Sequence, residues 1–348
     1  GGCNSVTLMC DQGIKGVELI AANTDVKHLE ICRADRVVSI GTLTAKGQGV
    51  GADPARGKQA ALEDREKIRE ALMGTDLLFI TAGMGGGTGT GAAPVIAQIA
   101  REMEILTVAV VTKPFAFERS ARVAAARAGI EELTQYVDSL LVVPNDRLLS
   151  SLPKGVPLIA AFRECNNVLS NAVRGISDLI TMPGFINVDF ADVRRVMSVR
   201  GMAMMGMGSG MGGDRARAAV TSALACPVLE DIDLKGAEGL LINVTTGPGN
   251  LTLDEYEEIC EIAGEVAGQN AQVIAGMSED MDMSEDELRV TIVATGLNRV
   301  NEKVTPFRRL DIQPQQPQEA PMQVNTRSAD PFDQKMLDIP AFLRRQAD

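Results

Sequence analysis

The sequence predicts an α/β protein with a doubly wound parallel sheet, a long central helix, a second and smaller α/β unit, and a disordered tail. Three observations carry this. From the start to about residue 150, short apolar runs alternate with helical patterns, as expected where parallel strands are joined through crossover helices. From Pro157 to Thr181, apolar residues recur at helical spacing without a break. From Asn298 onward, prolines sit among Gln, Asn, Ser and charges, a composition that cannot bury a core.

Composition sets outer bounds. A chain of 348 residues with 45% apolar content can hold real cores, in roughly two domains. With no Trp, two Tyr and nine Phe, those cores are aliphatic, with methionine as filler. A net charge of −12 argues against nucleic acid and against direct binding to an anionic membrane. Cys3, Cys10, Cys32, Cys165, Cys226 and Cys260 show no CxxC spacing and read as buried thiols of a reducing compartment. The single histidine, His28, excludes a His-rich metal site and Ser-His machinery; it reads as a surface or packing residue. No apolar run approaches membrane-spanning length and no signal peptide is visible. The chain begins Gly1-Gly2 without Met, and the expectation is that residues precede it.

The first unit, 1–156, supplies strands at Val17 to Ala22, Arg36 to Ile40, Leu77 to Ala82, Ile105 to Val111 and Leu140 to Val143. Helices are expected at Gly57 to Met73, Ala92 to Met103 and Arg119 to Tyr136. The stretch Gly83-Met84-Gly85-Gly86-Gly87-Thr88-Gly89-Thr90-Gly91 lies between a strand and a helix. Glycines let the backbone approach an anion, and a helix start adds free N–H groups and partial positive charge. Pro94 suits a first helical turn, and the Thr88 and Thr90 hydroxyls address the same anion. The stretch is no P-loop, because no Gly-Lys-Ser/Thr closes it. It fits the dinucleotide fingerprint only loosely: Val111-Thr112-Lys113 stands where a ribose-binding acid belongs.

Other loops fall at strand ends, where ligands of such sheets bind. Gly2-Cys3-Asn4 precedes a helical pattern and reads as the tail of a glycine-rich turn or as a frayed terminus. Asn23-Thr24-Asp25 could simply cap a helix. Gly47 to Pro54 is a second glycine-rich loop. Glu118 and Arg122 are spaced i, i+4, so they are expected to share one helix face, as an ordinary surface ion pair would. Phe162 and Asn166 have the same spacing near the start of the central helix, 157–182, which spans roughly 35 Å. In the unit 183–297, Asn187, Asp189 and Asp192 cluster at a helix start, where acids are favoured by capping alone. Gly201 to Met207 is methionine-dense and reads as strand and packing.

The run GGGTGTG resembles the signature of the tubulin superfamily, and the remaining motifs resemble its bacterial cell-division branch from end to end. The resemblance implies a GTPase that binds GTP/GDP and Mg2+, with no direct protein ligand assigned to the metal. Gly1, Gly2, Cys3, Asn4, Gly85, Gly86, Gly87, Thr88, Gly89 and Thr90 would form the phosphate cradle. The Asn23 to Asp25 loop would lie beside nucleotide and magnesium. Glu118 and Arg122 would hold the ribose and phosphate side, Phe162 would pack on the guanine, and Asn166 would read its edge. Val50, Gly51, Ala52 and Asp53 would form the γ-phosphate loop, departing from the family at Gln48, Val50 and Asp53. Asn187, Asp189 and Asp192 would reach the nucleotide of the next subunit and act on the attacking water, in a head-to-tail homopolymer.

The linker 298–335 would average roughly 35 Å between its ends. It leads to the peptide 336–348, where Asp338, Ile339, Pro340, Phe342 and Leu343 form an apolar cluster after a polar tether. It resembles the family's docking peptide for FtsA- and ZipA-type membrane tethers and division regulators, which implies a cytoplasmic protein at the mid-cell ring without membrane insertion of its own. Two rivals are a nucleotide-binding scaffold that does not hydrolyse and a nicotinamide-dependent oxidoreductase. The intact Asn187, Asp189 and Asp192 set argues against the first, and an Asp192→Ala variant that kept full turnover would favour reassigning the catalytic role; NAD binding without GTP competition would revive the second.

Overall fold

The computed structural model describes residues 1–297 except 151, 154, 183–185, 187, 200, 227, 230–233 and 269–270. The expected linker 298–335 and peptide 336–348, with Asp338, Ile339, Pro340, Phe342 and Leu343, lie outside the described residues, as does Asn187.

The chain opens with α1 (Gly2–Asp11), β1 (Ile20–Asn23), α2 (Val26–Glu30) and β2 (Arg36–Ser39). Then follow α3 (Pro54–Glu63), α4 (Arg65–Ala71), β3 (Leu77–Gly83), α5 (Thr88–Glu102), β4 (Leu106–Lys113), α6 (Ser120–Leu133), β5 (Ser139–Pro144) and α7 (Asn145–Ser150). The strut α8 (Leu158–Thr181) leads to α9 (Phe190–Met197), β6 (Gly201–Met211), α10 (Arg215–Leu224), β7 (Gly239–Thr246), α11 (Leu253–Ala267), β8 (Gln272–Glu279) and β9 (Glu287–Leu297).

The predicted α/β class stands, and the strands are arranged in two sheets. β1 and β2 pair with each other, in parallel, and with no other strand among the described residues. The remaining seven run in the order β3-β4-β5-β6-β9-β7-β8. Pairing is parallel from β3 to β6, antiparallel on both sides of β9, and parallel again between β7 and β8. The strands expected in the second unit therefore continue the first sheet, through Ser139↔Gly201, Leu140↔Met202 and Leu141↔Ala203. β4 is buried along almost its whole length, as a parallel strand covered on both faces must be. α8 lies against one face, burying Cys165, Leu169, Val173, Ile176 and Leu179 in the largest core cluster.

Three local expectations need correction. The helix expected from Gly57 to Met73 is broken at Asp64, which is 8% exposed. Its Oδ2 accepts from Gly41 N–H at 2.7 Å and its Oδ1 pairs with Lys67 at 2.5 Å, so the acid is spent on tertiary contacts at the break. α5 begins at Thr88 and not at Ala92, so Pro94 sits inside the helix and leaves the Thr90 carbonyl without its usual i+4 donor. The cysteines are not uniformly buried: Cys3 and Cys165 are, Cys10 is exposed on the outer face of α1, and the other three are partly covered. Met204 and Met205 of β6 are buried core residues.

Candidate functional site

β3 delivers the chain to the glycine-rich turn. Met84 N–H donates to Thr112 O at 3.0 Å, and Gly85 N–H donates to the buried Thr90 Oγ1 at 2.8 Å. Thr90 thus shapes the turn; only its hydroxyl proton is left for an anion. Gly85 has φ +95°, a conformation that favours glycine. A Cβ on Gly86 would meet nothing within 4 Å, so this residue faces open space at the helix mouth. A Cβ on Gly87 would lie 2.5 Å from Val50 Cγ2, and one on Gly91 2.1 Å from Pro54 O. These two glycines serve the approach of α3 to α5, a packing role the motif alone does not reveal. The first N–H groups of α5 have no intrahelical acceptor, which makes the mouth an anion site.

The γ-loop residues close one side. Val50 is 3% exposed, while Gly51 and Ala52 both take positive φ, +64° and +60°. Asp53, an odd acid beside a phosphate, is the cap of α3: its Oδ1 accepts from Ala55 N–H at 2.9 Å and Arg56 N–H at 3.4 Å. Its charge thus faces helix donors that favour it.

The loop after β1 forms another side. Thr24 is fully buried and its Oγ1 lies 2.7 Å from Thr88 Oγ1. Asp25 caps α2. Asn23 Oδ1 accepts from Thr24 N–H at 2.8 Å. Asn23 Nδ2 stands 3.3 Å from His28 Nδ1, and His28 Nε2 stands 3.0 Å from Asn4 Oδ1. A neutral imidazole protonated at Nε2 satisfies both contacts, accepting from Asn23 and donating to Asn4. The sole histidine therefore ties the loop to the start of α1. The sequence reads it only as a surface or packing residue, since its two partners lie on different elements. Gly1 and Gly2 start α1, where Gly1 O accepts from Asn4 N–H at 2.9 Å and Ser5 N–H at 3.1 Å. Burial pushes the Cys3 thiol up to about 11, and the nearby Cys32 thiol adds to this.

The third side carries the expected base and ribose groups. Glu118 does not share a helix face with Arg122. It ends a short 3-10 turn, Ala116–Glu118, and Arg119 at φ 79° separates it from α6. The ion pair forms nonetheless, and Glu118 Oε1 also accepts from Phe115 N–H at 3.0 Å. Phe162 is 40% exposed and meets Phe115 edge-on at 5.2 Å, while Phe115 stacks on Phe117 at 5.0 Å. Asn166 Oδ1 accepts from the buried Ser5 hydroxyl at 3.1 Å, joining α8 to α1.

Asp189 and Asp192 lie at the other end of α8. Asp189 precedes α9, is exposed, and makes no capping hydrogen bond. Asp192 lies 3.9 Å from Arg195. The 24 residues of α8 put roughly 35 Å between its ends. The structure thus gathers the glycine turn, γ-loop, Asn4, Glu118–Arg122, Phe162 and Asn166 at one end, and leaves Asp189 and Asp192 at the other. Among the described residues, no group of three or more His, Cys, Asp or Glu could hold a metal, and no helix is long and apolar enough to cross a membrane.

The family model described as "Tubulin/FtsZ family, GTPase domain" matches residues 1–153, and "FtsZ family, C-terminal domain" matches 201–298. "Cell division protein FtsZ" of Coxiella burnetii is 48% identical over 365 residues, 99% of this chain and 94% of the relative. The protein of that name from Pseudomonas aeruginosa is 49% identical over 375 residues, 100% of this chain and 95% of the relative. Among solved structures, "FtsZ dimer, empty" of M. jannaschii superposes with TM-score 0.80 at 43% identity, over 84% of each chain.

Proposed function

The chain belongs to the tubulin/FtsZ family, and on that premise we propose a division of labour between its two ends. It is a tubulin-like GTPase of cell division that binds guanine nucleotide and self-associates into filaments. The nicotinamide and non-hydrolysing readings are set aside by that membership.

The glycine turn Gly85 to Thr90 and the α1 start, Gly1 to Asn4, receive the phosphates. Val50 to Asp53 sense the γ-phosphate, Glu118 and Arg122 hold the ribose side, and Phe162 with Asn166 hold the base. Ser5 donates to Asn166 Oδ1 in this structure, and the second lone pair of that oxygen is left for a guanine donor. Asn187, Asp189 and Asp192 serve the nucleotide of the neighbouring subunit, orienting the attacking water. Phosphoryl transfer asks mainly for positioning and charge neutralisation.

The observation that carries this reading is the separation set by α8, together with the exposed, uncapped Asp189 at its far end. An acid that neither caps its helix nor reaches its own phosphate turn is available to a second molecule. Magnesium would sit beside the Thr24 and Thr88 hydroxyls, since among the described residues no cluster of three carboxylates competes for it; when bound it would supply charge neutralisation on the phosphates. The 336–348 peptide docks on FtsA- and ZipA-type tethers, which places the filament at the cytoplasmic mid-cell ring.

GTP turnover per subunit against protein concentration tests the composite site. Specific activity should be negligible below a threshold and rise above it. Constant specific activity down to high dilution would mean that each subunit holds a complete site.

A further inference from the structure

Two thiols meet at the wall that α1 contributes to the site. Cys32, just past the end of α2, donates through Sγ to Cys3 O at 3.4 Å and accepts from Thr7 Oγ1 at 3.4 Å. Arg33 N–H donates to the same Thr7 hydroxyl at 3.1 Å. Cys3 and Thr7 are four residues apart, on one face of α1, so the chain after α2 is stitched along that face. The two thiols are also in side-chain contact with each other. On its other side Cys3 Sγ donates to Ala22 O at 3.9 Å and accepts from Asn23 Nδ2 at 3.6 Å. Cys3 therefore stands between the Asn23–Asp25 loop and Cys32, next in the chain to Asn4.

The two thiols differ in access. Cys3 is 9% exposed, while Cys32 is only partly covered. With its thiol pushed up to about 11, chiefly by burial, Cys3 keeps its proton near neutral pH. Cys32 is thus the sulfur that an oxidant meets, and Cys3 the one placed to resolve the product. A disulfide has an S–S length of about 2.05 Å, and side-chain rotation brings two neighbouring sulfurs to it.

We propose that Cys3 and Cys32 are a redox-modification site: a small-molecule disulfide joins them in an intrachain bond, which fastens α1 to the end of α2 and slows nucleotide release. The effect on release rests on the reading of Gly1 to Asn4 as part of the phosphate cradle. In the first step the Cys32 thiolate attacks one sulfur of the oxidant, and the other sulfur leaves as a thiolate. Cys3 then gives its proton to solvent and attacks Cys32 Sγ, expelling the second half of the oxidant as a thiolate. Both protein sulfurs are oxidised, and the two electrons leave on the two small thiols, so a thiol reductant reverses the sequence. In a reducing compartment the pair stays as thiols until the oxidant level rises. α2 carries the Asp25 cap and His28, whose ring contacts Asn23 and Asn4. In the reduced chain the ties between these walls are hydrogen bonds, which open singly; a covalent tie at Cys32 keeps the walls from parting.

Oxidised glutathione is the probe, on the full chain carrying Cys10→Ser to remove the exposed thiol of α1. After free thiols are blocked, peptide mapping should find Cys3 joined to Cys32. Release of a fluorescent GDP analogue should slow by about fivefold or more and recover with dithiothreitol. In Cys32→Ser, oxidant should leave release unchanged. Cys32 held only as a mixed disulfide, or a joined peptide formed only in urea, would overturn the site. A joined peptide with unchanged or faster release would overturn its coupling to the nucleotide. A reduced chain that binds no GDP analogue would strike both the cradle reading and that coupling, whereas the mapping, which needs no nucleotide, decides the site by itself.

Discussion

Asp178 on α8 is the least comfortable acid in the described structure. Burial pushes its carboxyl up to about 6; Arg174, at 3.9 Å, pulls it down, Asp280 pushes it up and Arg289 pulls it down. A carboxyl raised above its unfolded value binds its proton more tightly in the folded state. Its contribution favours folding at low pH and is lost as pH rises from about 4 to about 6. We expect Asp178→Asn to flatten that part of the stability profile and to add on the order of 2 kcal/mol at pH 7, read by urea unfolding across pH 4 to 8. An unchanged profile would show that the carboxyl titrates normally. At this scale, the sequence disclosed groups whose partners are near in the chain. Glu118 with Arg122 was legible from spacing, although the 3-10 turn was not. Asp53 as a cap was hidden by the phosphate-loop resemblance. The Asn23–His28–Asn4 bridge and the Ser5–Asn166 bond were illegible, because spacing carries no information on contacts made through tertiary folding.

At the scale of elements, Arg215 is the main tie in the second half. Only 7% exposed, it bonds Glu255 Oε1 at 2.7 Å and Glu285 O at 2.6 Å, and also Asn250 O. It fastens α10 to the start of α11 and to the turn before β9. Glu255 in turn completes the capping box of α11 with Thr252. Removing the guanidinium strands a largely covered carboxylate and two carbonyls. Arg215→Met should therefore lower stability by roughly 3 kcal/mol, seen as a lower urea midpoint, and should loosen amide protection at the start of α11 first. A midpoint within error of the parent would contradict this role. Strands and helices were legible where their apolar period ran unbroken, as in α8. Helix limits failed where a side chain had another use: Asp64 broke α3 from α4, and the glycine-rich run proved helical from Thr88. Composition there read as loop, whereas close packing of α3 on α5 asked for small residues inside a helix.

For the whole molecule, the α/β class and the identity of the site were legible because the phosphate turn is contiguous in sequence. Strand order was not. Nothing in the sequence announced that β6 would pair with β5, or that β1 and β3 would stand apart, since pairing between distant segments leaves no local pattern. The separation of Asp189 from Gly86 along α8 was legible, because the unbroken apolar period of the helix gave its length. We propose that it makes one subunit insufficient for hydrolysis, and this is the central claim. A mixing experiment tests it most directly. Asp192→Ala keeps its own nucleotide pocket, and Glu118→Ala with Arg122→Ala keeps the acids it offers a neighbour. Each alone should turn over GTP at a small fraction of the parent rate. In an equimolar mixture, random head-to-tail contacts pair an intact pocket with intact acids at about a quarter of interfaces, and turnover should rise to that share of the parent rate. A mixture no faster than the mean of its two components would contradict the claim.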